Sequence, residues 1–143
     1  MKIFLLSLAS LCCASAANAC SCATTTIQEN FKKADYVVKG QVVSLADTVQ
    51  MDLYSNPVRP PFRYGYIPHL RVEKVLKGRI KRGKTIRVAS YSSMCDFYFG
   101  LGLSYVVFLF KDSKAGFTTS VCVLNFLQTD KESLAVIEGL SRK

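Results

Sequence analysis

The chain has 143 residues, a formal net charge of +9 at neutral pH, six cysteines and one histidine. Its length fits one domain, and its excess of cations favours polyanionic partners or acidic surfaces. His69, without carboxylates at a suitable spacing, supports neither a metal centre nor a hydrolase triad. We find no phosphate loop and no nucleophile elbow. The sequence therefore predicts a protein that is not an enzyme and needs no cofactor.

Residues 1–19 have the pattern of a secretory signal peptide. Lys2 gives a positive start, the following apolar run is too short to span a bilayer, and Ala17-Asn18-Ala19 fits a small-x-small cleavage site. We expect a mature domain over 20–143, secreted or periplasmic, with a charge of +8 because Lys2 is lost. No other stretch is apolar enough to span a membrane. An envelope lipoprotein acylated at Cys20 is an alternative, although Ala17 stands where a lipobox usually has Leu.

Cleavage would remove two of the six cysteines and leave an even number, which is typical of a disulfide framework in a small exported domain. The remaining cysteines are Cys20, Cys22, Cys95 and Cys122. A Cys20–Cys22 bridge would need a strained turn, because side chains at i and i+2 of an extended segment lie roughly 6–7 Å apart. Both are therefore expected to bond distant partners, in either of the two remaining pairings. A redox-active Cys20-x-Cys22 pair is less favoured, since no βαβ pattern surrounds it.

The first predicted element is a short helix over about 26–34. Thr26-x-x-Glu29 and Thr25-x-x-Gln28 both fit a capping box, and Ile27 and Phe31 would form the buried stripe. Residues 35–45 predict a strand with a bulge or bend at Gly40. Residues 46–63 contain three prolines and predict a long exposed loop or a flap on an extended hairpin.

Further segments have β character. They are 64–76, 85–89, 105–110 and 117–126. A basic turn over 79–84 separates the first two, and the apolar run 105–110 predicts a central, largely buried strand. Leu134, Ile137 and Leu140 have the spacing of a helix over about 130–140. Five strands with an early and a late helix favour a small closed barrel of the OB type, mainly β, in a single domain without repeats.

Four sequence features occur in an order that points to a known family. They are Cys20-Ser21-Cys22 at the expected mature start, a helix leading into the strand Ala34–Gly40, the segment Val72–Gly78, and Cys95 followed by a strand at Gly102-Leu103-Ser104-Tyr105. In these features the chain resembles the netrin-like family and, within it, the N-terminal domain of tissue inhibitors of metalloproteinases. The match covers nearly the whole mature chain. Its single-domain form is similar to a bacterial rather than an animal member.

The resemblance implies an OB-like barrel with bridges Cys20–Cys95 and Cys22–Cys122. It also implies a metalloprotease inhibitor in which the free α-amine and the carbonyl oxygen of Cys20 chelate the protease's catalytic zinc, displacing the water in the metal's open position. Cys20 would be the zinc-binding residue, and Ser21 would point at the specificity pocket. The protease-binding residues implied are Cys20, Ser21, Cys22, Ala23, Ser93, Met94 and Cys95.

The sequence also departs from the animal inhibitors. Their third disulfide and their C-terminal domain have no counterpart here, a small Ala23 follows the Cys-x-Cys, and an acidic Asp96 follows Cys95. The alternative to inhibition is a monomeric binding module for polyanionic surfaces. Its expected site is a set of cations around the basic turn: Lys77, Arg79, Lys81, Arg82 and Lys84, with Lys74 and Arg87 beside them. Charge that blunts edge pairing of strands is the competing explanation of these residues.

Aromatic residues near Cys95 could serve as stacking platforms for bases, as in OB-fold proteins that bind nucleic acid. They are Tyr91, Phe97, Tyr98 and Phe99. Because export makes a nucleic-acid partner unexpected, packing in the core or at a hydrophobic rim is the favoured role.

Overall fold

A computed structural model describes residues 20–47, 49–50, 63–90 and 95–142. The helices are α1 (Ile27–Lys33) and α2 (Lys131–Leu140). The strands are β1 (Tyr36–Leu45), β2 (Val49–Gln50), β3 (Arg63–Gly65), β4 (Pro68–Lys77), β5 (Thr85–Ala89), β6 (Phe99–Gly100), β7 (Ser104–Asp112), β8 (Gly116–Thr118) and β9 (Phe126–Leu127). Among the described residues, neither helix is long or apolar enough to span a membrane.

Five strands close into a barrel. Their order is β1-β4-β5-β8-β7, and β7 pairs back onto β1. The β5–β8 pair is parallel, whereas the other four pairs are antiparallel. Closure removes the exposed edges that an open sheet of these strands would present. The predicted five-stranded OB-like barrel with a helix at each end is confirmed.

Strand β7 is apolar on both faces because it separates two hydrophobic cores. Val107 and Leu109 point into the barrel interior, while Val106 and Phe108 pack in a second core between the barrel and the helices. All four side chains are fully buried. Burial on both faces explains why this segment is a continuous apolar run instead of alternating with polar residues.

Helix α1 begins as its sequence predicts. The Thr26 hydroxyl accepts from the Glu29 N–H (3.2 Å), and the Glu29 carboxylate accepts from the Thr26 N–H (2.8 Å), which completes the capping box. The Thr26 backbone N–H at the carboxylate, and after it the Thr26 side chain, hold the pKa of Glu29 below its ordinary value. Ile27 and Phe31 pack against the second core, between the barrel and the helices, but are only half-buried. The buried residue of the helix is Asn30.

The C-terminal end of α1 is capped by a side chain from β4. The Lys77 ammonium donates to the carbonyl oxygens of Phe31 (2.7 Å), Lys32 (2.9 Å) and Ala34 (2.6 Å). Carbonyl groups at a helix C-terminus lack intrahelical donors and carry partial negative charge, so a cation there is favourable. Lys77 therefore anchors the helix that follows the N-terminal segment to the barrel.

One predicted strand is wrong. Residues 117–126 do not form a single strand, because β8 ends at Thr118 and β9 begins only at Phe126. Strand β8 pairs with β5 over only two residue pairs. The chain then leaves the barrel through a turn that carries Cys122, and this turn is built by side-chain hydrogen bonds.

Two other predictions in the first half of the chain have clear outcomes. The β1–β4 pairing shifts register between Lys39 and Gly40, which confirms an irregularity at the glycine. Strands β2 and β3 pair antiparallel, so the two ends of the segment predicted as a long exposed loop or a flap form an extended hairpin. Residues 51–62 lie outside the described ranges.

Candidate functional site

The N-terminal segment is extended and fastened at two points. Residues 20–26 have no helix or strand, and Ser21, Cys22 and Ala23 are exposed. Cys20 is bonded to Cys95 and Cys22 to Cys122, with Cα–Cα separations of 5.5 and 5.1 Å. This is the pairing that the resemblance implies. Two bridges within three residues leave this part of the backbone little freedom.

The two bridges lie side by side. The Sγ atoms of Cys20, Cys22 and Cys122 are within 4.8 Å of one another, a separation at which three thiolates could share one metal ion. Each sulfur is bonded to another sulfur, however, so none is a thiolate that could bind a metal. In this oxidised state the cluster fixes the backbone and does not hold a metal.

One hydrogen bond joins the segments that carry Cys95 and Cys122, and a second lies within the Cys122 segment. The Val121 N–H donates to the Cys95 carbonyl oxygen (2.8 Å), and the Cys122 N–H donates to the Ser120 hydroxyl (3.2 Å). Val121 keeps 42% of its surface exposed. The N-terminal segment, Cys95 and the Cys122 turn therefore form one continuous edge of the molecule, which we call the disulfide edge.

Asn125 holds the Cys122 turn against the barrel. Its side-chain oxygen accepts from the Phe108 N–H in β7 (2.9 Å), and its amide nitrogen donates to the Thr119 hydroxyl (2.9 Å) and the Ser120 carbonyl (3.2 Å). Sequence reasoning missed this residue by assigning it to a strand. The available signal was a lone amide in the apolar stretch 121–127, since a partly buried amide needs several partners.

Asp96 points inward. It is only 7% exposed, and its carboxylate accepts a hydrogen bond from the Ser90 hydroxyl. This acid, which departs from the animal pattern, is therefore not part of the exposed surface beside Cys95. The Ser90–Asp96 contact also joins the two ends of the segment that contains Ser93 and Met94. Those two residues and Tyr91 lie outside the described ranges.

The aromatic residues after Cys95 alternate between two environments. Phe97 and Phe99 belong to the barrel core with Tyr105, their rings meeting edge to face at 4.8 and 5.4 Å. Tyr98 faces the other way and meets Tyr64 (5.6 Å) and Tyr66 (4.5 Å) on the small sheet of β2, β3 and β6. Burial among these rings raises the pKa of Tyr98. Core packing of Phe97 and Phe99 is confirmed.

The basic residues divide into two groups. Lys77 is directed at the end of α1, and Lys74 pairs with Glu138 at 3.2 Å. Within the described ranges, the remaining cations of the turn have exposed side chains without hydrogen-bond or ion-pair partners. These are Arg79, Lys81, Arg82 and Lys84. Of the other cations named from the sequence, Lys77 and Lys74 thus have partners within the protein and Arg87 is exposed on β5. We call the four residues of the turn the basic turn.

A comparison with protein families finds one match. The model of the family described as tissue inhibitor of metalloproteinase matches residues 18–137. This range includes the N-terminal segment, all strands of the barrel and all four paired cysteines. No curated protein sequence matches the chain significantly.

Proposed function

The chain belongs to the tissue inhibitor of metalloproteinase family, and we propose that it inhibits a zinc metalloprotease through its N-terminal segment. The observation that supports this most is the double fastening of that segment by the Cys20–Cys95 and Cys22–Cys122 bridges. A backbone that is already held in one conformation loses little entropy when it binds. Ser21 and Ala23, which are exposed on it, are free to contact a partner.

The proposed chemistry uses main-chain atoms of Cys20. A catalytic zinc in a protease has three protein ligands and one position for water. The α-amine nitrogen and the carbonyl oxygen of one residue can close a five-membered chelate at that position. The amine must be neutral to donate its electron pair, and the ordinary α-amine pKa of about 7.7–8.0 makes this possible near neutral pH.

This mechanism requires that the chain start at Cys20. We therefore propose that residues 1–19 are a signal peptide, cleaved after Ala19, and that the mature domain is secreted or periplasmic. Disulfides persist mainly in oxidising compartments, which agrees with export. Acylation of Cys20 would instead block the amine, so a lipoprotein could not act in this way.

Neighbouring residues have proposed roles that follow from their position on the disulfide edge. Ser21, directly after the zinc-binding residue and exposed, would enter the specificity pocket of the protease. Cys22, Ala23 and Cys95 would contact the rims of the active-site cleft, together with Ser93 and Met94. Asp96, which departs from the animal inhibitors, is no obstacle to this role, because its carboxylate points inward and is not presented next to Cys95.

The mature chain 20–143 is expected to inhibit a zinc endopeptidase and to leave a serine protease untouched. Because only the neutral amine binds zinc, the inhibition constant should improve about tenfold per pH unit between about pH 6 and pH 7.5 and level off near the amine pKa. The measurement is the inhibition constant as a function of pH, corrected for the protease's own pH profile. Equal inhibition of both protease classes, or no dependence on pH, would count against chelation.

A second candidate function is the binding of a polyanionic surface at the basic turn. It is favoured by the four exposed cations between β4 and β5, which have no acidic partner among the described residues. Gly83 has φ near +80° and its N–H donates to the Val72 carbonyl oxygen (2.8 Å), so the turn is fixed against β4 while its cations stay exposed. Such a cluster attracts sulfated or phosphorylated polymers by releasing their counterions.

Neutralising three of these cations tests this candidate. The variant Arg79→Gln/Lys81→Gln/Arg82→Gln should elute from immobilised heparin at clearly lower salt than the unchanged protein, while its inhibition constant stays the same. A matched control, Lys111→Gln/Lys114→Gln/Lys131→Gln, removes the same charge from exposed positions elsewhere. If both triple variants elute together, net charge alone and not the basic turn accounts for binding.

A further inference from the structure

Three of the four paired cysteines bring their sulfur atoms together, although they belong to two bridges. The Sγ atoms of Cys20, Cys22 and Cys122 lie within 4.8 Å of one another, and the Cys95 sulfur is joined to this sulfur cluster by its bond to Cys20. The Cys20–Cys95 bridge thus has both sulfur atoms of the Cys22–Cys122 bridge near its Cys20 end.

Access to the cluster is uneven. Cys22 is exposed, whereas Cys20, Cys95 and Cys122 are half-buried. Disulfide exchange begins when a thiolate attacks an accessible disulfide sulfur. A thiol arriving from solvent will therefore meet Cys22 before the other three sulfurs.

We propose that the Cys22–Cys122 bridge is a thiol-exchange site, through which a small thiol or a protein dithiol converts the pairing to Cys20–Cys122 and Cys22–Cys95. An incoming thiolate bonds to the Cys22 sulfur, and the electron pair of the broken bond leaves on Cys122. The Cys122 thiolate then attacks the neighbouring Cys20 sulfur and expels Cys95 as a thiolate. Cys95 finally attacks Cys22 and expels the original thiolate.

The three exchange reactions balance. Two disulfides are present before and after, three sulfur–sulfur bonds are broken and three are formed, and the thiol is regenerated without net oxidation. The product pairs Cys20 with Cys122 and Cys22 with Cys95, which is the other of the two long-range pairings left open by the cysteine spacing. Because Cys122 and Cys20 already lie within 4.8 Å of each other, the step between the two bridges does not require the barrel to open.

The exchange would have a regulatory consequence that rests on the proposed function. In the structure Cys20 is held beside Cys95, where it helps form the disulfide edge. In the exchanged form Cys20 is bonded to Cys122 and Cys22 to Cys95, so the zinc-binding end is held at a different place on the disulfide edge. A thiol would then change the inhibitor's affinity without reducing its disulfide content.

A three-cysteine variant isolates the key step. Cys22→Ser leaves Cys122 as a free thiol beside the Cys20–Cys95 bridge, and the three remaining cysteines fall on separate tryptic peptides: 20–32, 88–111 and 115–131. At about pH 8, where a thiol of pKa about 8.5 is partly ionised, we expect at least about a tenth of the protein to acquire the Cys20–Cys122 bridge. The measurement is acid quenching, alkylation and mass spectrometry, with circular dichroism to confirm folding. The fraction should not depend on protein concentration.

The matched control carries its free thiol elsewhere. In Cys22→Ser/Cys122→Ser/Lys81→Cys the thiol lies in the turn before β5, while Cys95 follows the other end of that strand, and no exchange is expected. If Cys22→Ser retains only Cys20–Cys95, with Cys122 fully alkylated, the proposal is overturned. Should that variant not fold, the unchanged protein in a glutathione buffer decides the same question: formation of Cys20–Cys122 supports the proposal and its absence overturns it. No protease enters these assays, so their failure and a failure of inhibition are distinguishable.

Discussion

Adding one alanine in front of Cys20 is expected to abolish inhibition and to leave the fold unchanged. The added residue converts the α-amine of Cys20 into an amide, which is neither basic nor able to chelate zinc. Four-ligand zinc sites in small peptides are worth about 10–16 kcal/mol, so one lost donor costs about 2.5–4 kcal/mol and weakens binding roughly 70- to 1000-fold. The measurement is the inhibition constant against a zinc endopeptidase.

Two controls make this experiment decisive. Intact mass should show an N-terminal Ala, a free amine and four hydrogens fewer than the reduced chain, which proves that both disulfides formed. The variant Ser21→Ala alters the neighbouring side chain but keeps the amine. Its inhibition constant should therefore change far less than that of the Ala-extended protein. An Ala-extended protein that inhibits as well as the mature one would rule out chelation.

Removing the bridge that holds the proposed zinc-binding residue has the second largest expected effect. In Cys20→Ser/Cys95→Ser the amine and carbonyl of residue 20 remain, but their support is lost. Fixing one residue's backbone costs about 1–2 kcal/mol, so ordering residues 20 and 21 on binding should weaken inhibition about 30- to 1000-fold. Disulfide loss should also lower the free energy of unfolding by about 2–5 kcal/mol. Inhibition assays and urea denaturation measure the two effects.

The other bridge supplies the comparison. Cys22→Ser/Cys122→Ser removes a link between residues 100 apart in sequence, against 75 for the first, so its loss of stability should be at least as large. Its effect on inhibition should be smaller, because Cys20 stays fixed to Cys95. Equal losses of inhibition in the two double variants would show that global stability, and not local support of residue 20, determines affinity.

Local patterns in the sequence were sufficient to predict the helices and strands that depend on interactions between neighbouring residues. The Thr26–Glu29 capping box fixes the start of α1 within one turn, and the apolar run of β7 follows from burial on both faces. The spacing of Leu134 and Ile137 similarly predicts α2. In each case the responsible interactions act over a few residues or along one face, which is what periodicity and capping rules describe.

The contacts that could not be predicted join residues far apart in the chain. Lys77 caps a helix whose accepting carbonyls lie 43–46 residues earlier, so its sequence neighbours suggest only one more surface cation. The break between β8 and β9 follows from the parallel pairing with β5 and from the bonds of Asn125. For the same reason cysteine spacing excluded one connectivity but could not choose between the other two, and resemblance to a family was needed.

The pairing of the cysteines also determines the order in which this protein can mature. During synthesis Cys20 and Cys22 leave the ribosome 75 and 100 residues before their partners. Cys122 follows β7 and β8 in the chain, so it comes into reach only after these strands have joined strands made much earlier, and such long-range closure is the slow part of folding. The barrel must therefore assemble while Cys22 is still unpaired or wrongly paired. Folding selects the disulfides in this molecule, and the disulfides then preserve what folding has built.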